Sequence, residues 1–254
     1  MTEDFRCSRA SEADEEPLAG TAPTAARLLL VEHSGPWGAK AVEESRLPEA
    51  VRAHLAGLEG TTVHLVRRHG GGTDGDGLRV FHAVATPTGY DVTAGRVPGP
   101  EALLDLDLAT LEPYDGPLWL VCTNGSRDRC CAELGRPVTA ALAARWPDAT
   151  WETTHLGGHR FSATLLALPS GHTLGRLDPG NAVAACEEVA AGGVPIALSR
   201  GRAGRSGAEQ VLELHLLAGG DPAVRVVAEP GPVRRQSCGD LKQKPTTRYR
   251  VLST

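Results

Sequence analysis

Short apolar runs separated by glycine- and proline-rich turns dominate this 254-residue chain. "ARLLLVEH" (26–33) is an almost continuous β-capable run, and "SGPWG" (34–38) closes it with a turn. In "LPEAVRAHLAGLEG" (47–60) the spacing becomes helical. Val51, Leu55 and Leu58 share a face, Pro48 sits near the start and Gly60 ends it. "TTVHLVRR" (61–68) and "LRVFHAVAT" (78–86) read as strands on either side of "HGGGTDGDG" (69–77), and they are expected to pair as a long hairpin. Residues 27–115 therefore form a first α/β unit, behind an arm (1–26) whose polar composition predicts flexibility.

A second unit spans 116–198. "GPLWLVCT" (116–123) is a strand ending near Cys122. "RPVTAALAARW" (136–146) has helical spacing, with Pro137 in its first turn. "ATWETTHL" (149–156) and "FSATLLALPSG" (161–171) are strands joined by a short glycine-containing loop, and "HTLGRL" (172–177) reads as a further strand. "DPGNAVAACEEVAAGG" (178–193) is a helix with Asp178 as cap and Pro179 in its first position. The order strand, helix, strands, helix resembles a thioredoxin-like layering of helices on a mixed sheet. The expected class is α/β: a thioredoxin-like C-terminal domain preceded by a second α/β unit. Residues 199–254 add a basic turn, a helix and two strands (223–229 and 246–253) as an extension packed on the core, with a polar, exposed stretch at 234–245.

Composition narrows the function classes. A 41% hydrophobic content suits a globular protein, and aromatics at 4% point to a core of small residues. The net charge of -5 and the lack of aromatics interleaved with basic residues argue against nucleic-acid binding. No run is long enough to span a bilayer, and the acidic start "MTEDFRCSRASEADEEP" is unlike a secretory signal, so a cytoplasmic location away from membranes is expected. Six cysteines in such a compartment read as metal ligands, reactive thiols or core residues rather than disulfides. The glycine run at 70–77 lacks the lysine and following helix of a phosphate loop and reads as a connection.

The candidate chemistry lies in "LVCTNGSRDRCC" (120–131) and "THLGGHRF" (154–161). Thiolate and imidazole together suit zinc, copper and iron–sulfur centres. Gly157 and Gly158 favour a tight loop that can turn His155 and His159 inward. Spacing alone leaves zinc and a [2Fe-2S] cluster both open. Thiol–disulfide exchange at Cys130 and Cys131 is a further reading, without a Cys-x-x-Cys motif behind it. Cys186 falls among apolar helix positions and reads as packing, and Cys7 and Cys238 sit in polar termini and read as incidental. Arg127, Asp128, Arg129 and Arg160 flank the candidates. Arg200, Arg202 and Arg205, and Arg234, Arg235, Lys242 and Lys244, make two basic clusters, read as solvated surface or as docking points for an acidic reductase or an anionic cofactor domain.

These motifs resemble those of the sucrase/ferredoxin-like family of thioredoxin-like ferredoxins. "VCTNGSRDRCCAELGRPV" and "HLGGHRFSATLLALPSG" are similar to its cluster-binding core. "CSRASEADEEPLAGTA", "LLLVEHSGPWG" and "SCGDLKQKPTTRYRV" are similar to its terminal regions. The resemblance implies a [2Fe-2S] cluster held by two cysteines and two histidines: Cys122, Cys131, His155 and His159. Cys131 matches the family cysteine by position. Cys130 stands where an arginine is common, which leaves it as a rival. The implied function is one-electron transfer with a redox partner protein, a reductase or an electron acceptor, rather than enzymatic catalysis. The alternatives are a structural zinc-binding interaction protein or a thiol-dependent oxidoreductase. Glycoside hydrolysis is not implied, since no positioned pair of carboxylates is evident.

Overall fold

Two strands with continuous apolar stretches, β1 (Arg27–Glu32, apolar over 28–31) and β6 (Leu118–Cys122), form the centres of two similar units. A strand buried on both faces has no need of a polar alternate, which explains their continuous runs. The computed structural model describes residues 5–73 and 75–254. Residues 1–4 of the expected arm and Asp74 of the glycine-rich connection lie outside the described residues.

In the first unit, α1 (Cys7–Ala13) precedes β1, and α2 (Glu49–Ala56) crosses to β2 (Thr62–Arg67), which pairs parallel with β1. β3 (Leu78–Thr86) pairs antiparallel with the other side of β1 and turns into β4 (Gly89–Val97), beside the short β5 (Glu112–Pro113). In the second unit, α3 (Arg129–Arg145) crosses from β6 to the parallel β7 (Thr150–Thr153). β8 (Leu165–Leu168) pairs antiparallel with β6, followed by β9 (His172–Leu174), α4 (Ala182–Ala190) and β10 (Ser199–Arg202). α5 (Gly207–Leu217) and a separate hairpin, β11 (Val224–Arg235) and β12 (Gln243–Ser253), complete the chain.

The ten-stranded sheet runs β10-β9-β8-β6-β7-β2-β1-β3-β4-β5. Each half has the same plan: a parallel pair linked through a helix, then an antiparallel hairpin on the far side of the first strand. That is a thioredoxin-like strand order, present twice. The halves meet edge to edge where β2 and β7 run antiparallel, Val66 opposite Thr153. The fold is mixed α/β, with a topological repeat that no sequence repeat announces.

Three expectations are corrected. β2 and β3 do not form a hairpin, because the crossover through α2 places β1 between them. The helix expected from Arg136 begins at Arg129, because the Asp128 side chain accepts from the Cys130 amide at 3.0 Å and caps it there. Pro137 consequently lies inside the helix rather than in its first turn. Part of the supposed flexible arm is ordered as α1, whose Cys7, Ser8 and Ser11 are buried. A bidentate ion pair from Arg6 to Glu133 (2.6 and 2.9 Å) ties its start to α3.

Leu118, Leu120 and Cys122 leave one face of β6 and join Leu28, Leu30, Phe81 and Trp151 in a core shared by both units. Trp119 and Val121 leave the other face and pack under Val138 and Leu142 of α3 and Cys186 of α4. Cys186 is a packing residue, as its sequence context indicates, and burial pushes its thiol up to about 12. Among the described residues no helix is long and apolar enough to cross a membrane.

Candidate metal centre

Cys122 is the last residue of β6, fixed by parallel pairing to Thr153 and by its amide donating to the Thr164 carbonyl at 3.0 Å. Cys130 and Cys131 occupy the first turn of α3, behind the Asp128 cap. Successive helical residues diverge by about 100°, so the two side chains separate. The Cys131 sulfur joins Cys122, while the Cys130 sulfur turns toward Cys7 and Cys238.

Residues 154–164 bring the imidazoles. Thr154 anchors the loop to β2: its amide donates to the Leu65 carbonyl at 3.0 Å, and its hydroxyl accepts from the Leu65 amide at 3.1 Å. Gly157 and Gly158 both take positive φ, 78° and 69°, which reverses the chain into a 3-10 turn at His159–Phe161. His155 Nδ1 lies 3.9 Å from the sulfurs of both Cys122 and Cys131, and its Nε2 lies 3.2 Å from His159 Nδ1. The two rings lie tilted by 34° with centroids 5.0 Å apart. His159 Nε2 donates to the Gln236 carbonyl at 2.6 Å. That bond fixes the tautomer and leaves Nδ1, which faces His155 Nε2, as the lone-pair-bearing nitrogen.

The electrostatics suit a cation. A hydrogen bond from Cys131, followed by one from His155, holds the Cys122 thiol well below the ordinary thiol range. The same bond and burial push Cys131 up, so the pair shares a proton that a metal would displace. Burial, then the neighbouring His155, lowers His159 and keeps it neutral. Both cysteines are essentially inaccessible, at 1% and 0%, whereas both imidazoles are partly exposed, and His159 lines a cleft of about 500 Å³ that reaches Thr21, Phe161 and Tyr249.

Several flanking residues differ from expectation. Arg200 belongs to neither a solvated turn nor a docking surface. It is 2% exposed, and its guanidinium donates to Thr21 and to the Gly157 carbonyl (3.1 Å), so it holds the histidine loop from behind. Arg202 and Arg205 pair with Glu213. Arg160 is buried against Glu16, and Arg234 pairs with Asp14. Asp128 is the buried cap of α3, while Arg127, Arg129, Lys242 and Lys244 are exposed. The loop glycines and the capping Asp128 were the available sequence signals for this packing. Arg200 had none, because only the fold buries it.

The sucrase/ferredoxin-like family model matches residues 18–201. The chain belongs to this family. In this sucrase/ferredoxin-like chain the matched span contains Cys122, Cys130, Cys131, His155 and His159, and it excludes Cys7 and Cys238. A solved structure, the Cys59Ser variant of the thioredoxin-like [2Fe-2S] ferredoxin from Aquifex aeolicus, is similar at 16% identity and a TM-score of 0.30. The similarity covers 33% of this chain and 97% of that one. No curated protein matches the chain.

Gly135 sets how closely α3 approaches the site. A Cβ there would collide with the Cys122 carbonyl oxygen, which is backbone and cannot swing away. Gly135→Ala gains up to about 1 kcal/mol of helix propensity but incurs an overpacking cost of about 1–3 kcal/mol. Overpacking is expected to win. The variant should unfold at lower temperature, read by thermal unfolding.

Proposed function

We propose that this protein is a one-electron carrier whose [2Fe-2S] cluster is held by Cys122, Cys131, His155 and His159. The observation that carries the proposal is the meeting of donors: the buried sulfurs of Cys122 and Cys131 come together with His155, and His159 lies beside His155. The donor set fits such a cluster chemically, because thiolate and neutral imidazole both ligate iron in [2Fe-2S] centres. When bound, the cluster supplies reversible electron transfer at a potential raised by replacing anionic thiolates with neutral imidazoles.

The chain's own residues divide the remaining work. The α3 start and β6 fix the sulfurs in the core, away from water. Gln236 orients His159, and Arg200 braces the loop while placing a positive charge near Cys122 and Cys131. The partly exposed histidines make the imidazole side the route for a redox partner, a reductase or an electron acceptor. All six cysteines are free thiols, in keeping with a reducing, cytoplasmic setting.

One observation favours a second reading. The ligand atoms of Cys122, Cys131 and His155 lie within 4.8 Å of one another, compact enough for a single zinc ion. Protein purified without air separates the two. The electron-carrier reading requires a coloured protein with about two irons and two acid-labile sulfides per chain. Colourless, iron-free protein made with ample iron would refute it.

A further inference from the structure

The second group of metal-ligating side chains is complete in itself. Cys7, Asp128, Cys130 and Cys238 offer ligand atoms within 4.8 Å of one another, drawn from the N-terminal helix, the cap and first turn of α3, and the β11–β12 loop. Cys7, Asp128 and Cys130 are buried, and Cys238 is partly covered. We propose that these four residues bind one zinc ion at a structural site separate from the Cys122–His159 centre. The inference does not depend on the electron-carrier reading.

Geometry supports one ion. With Zn–S at about 2.3 Å and Zn–O at about 2.0 Å, a tetrahedral site has S···S edges of about 3.8 Å and S···O edges of about 3.5 Å. The sulfurs of Cys7 and Cys130 lie 3.7 Å apart, those of Cys7 and Cys238 3.6 Å, and those of Cys130 and Cys238 3.3 Å. Cys7 Sγ lies 3.5 Å from Asp128 Oδ1. Three sulfurs and one carboxylate oxygen already approximate that polyhedron.

The surroundings orient these side chains. Ser8 Oγ donates to Cys130 Sγ at 3.2 Å, and the Cys7 amide donates to Cys238 Sγ at 3.4 Å. The Asp128 carboxylate accepts from the amides of Cys130 (3.0 Å) and Cys238 (2.8 Å), which orients it toward the sulfurs. A disulfide would use two of these thiols and leave the third, together with a buried carboxylate, without a role. A site closed by four protein ligands is of the structural type. Its consequence is mechanical: α1 and the 236–240 loop, separated by most of the chain, are joined over the start of α3. Gln236, which orients His159, lies in that same loop.

X-ray absorption at the zinc edge of the full-length wild-type protein, purified without chelator, tests the site directly. The expected result is about one zinc per chain with three sulfur and one oxygen neighbours. Zinc with two sulfur and two imidazole neighbours would place it at the Cys122–His159 centre and overturn the inference. Protein without zinc after growth in zinc-supplemented medium would overturn it too, as would a disulfide among Cys7, Cys130 and Cys238 in anaerobically alkylated protein. Cys238→Ser adds a second reading: zinc should be lost while iron is kept. Failure of the electron-carrier proposal would appear as absent iron, with a second zinc per chain if zinc fills the Cys122–His159 centre; Cys238→Ser would then remove only the zinc with three sulfur neighbours and one oxygen neighbour.

Discussion

Cys122→Ser and Cys131→Ser are each expected to yield protein that has lost its iron and its colour, whereas Cys186→Ser keeps both. Under the proposed ligand set each of the first two removes a direct thiolate from a buried centre. Changing even an outer partner of a metal ligand costs about 10–100-fold in affinity, so losing a ligand costs more. Cys186 is packed between α3 and α4, away from both groups of donors, so its serine variant should show a modest stability change only. Cys130→Ser is the discriminating variant. Its sulfur points to Cys7 and Cys238, so it should retain iron and lose zinc. Iron and zinc contents of the four variants, measured on the same preparations, check all of these outcomes. Loss of iron from Cys130→Ser with retention in Cys131→Ser would reverse the assignment within the pair.

The parts of this centre that were legible in the sequence are those set by local chain geometry. Cys122 could be placed because an apolar run ends there. His155 and His159 could be placed because two glycines between them forbid a regular helix and require a tight reversal. The divergence of Cys130 and Cys131 is not legible from the sequence, whose helical spacing begins at Arg136. Once Asp128 is the cap, adjacent residues in the first turn must point apart. Cys7 and Cys238 looked incidental because their partner, Cys130, is more than a hundred residues away in either direction, and no local pattern encodes such a meeting. Strand identity was likewise readable in β2 and β3, but neighbour order was not, since periodicity carries no information about which strand a crossover returns beside. Arg200 is the sharpest example. Its neighbours Arg202 and Arg205 share its composition, yet only Arg200 turns into the core behind the histidine loop.

That placement makes Arg200→Met the variant with the broadest consequences. Burial lowers the guanidinium to about 10, opposed by the nearby Cys122 and Cys131, so it stays charged at neutral pH. Removing it leaves the Thr21 and Gly157 carbonyls without this donor, and each unsatisfied buried acceptor costs about 1–3 kcal/mol. The loop carrying His155 and His159 should loosen, and bound metal should be released faster. The lost charge acts separately. At an effective dielectric of about 20, two unit charges attract by about 4 kcal/mol at about 4 Å and less in proportion to distance, and 1 kcal/mol is about 40 mV for a one-electron couple. Without that positive charge the added electron is less well stabilised, so the potential should fall, by tens of millivolts after screening. Arg200→Lys separates the two effects. Lysine keeps the charge but not the planar fork that spans Thr21 and Gly157. It should therefore hold the potential near the parent value while losing part of the stability. Redox titration and thermal unfolding of both variants beside the parent provide the check. Equal falls in potential for Met and Lys would mean that Arg200 acts through loop geometry alone.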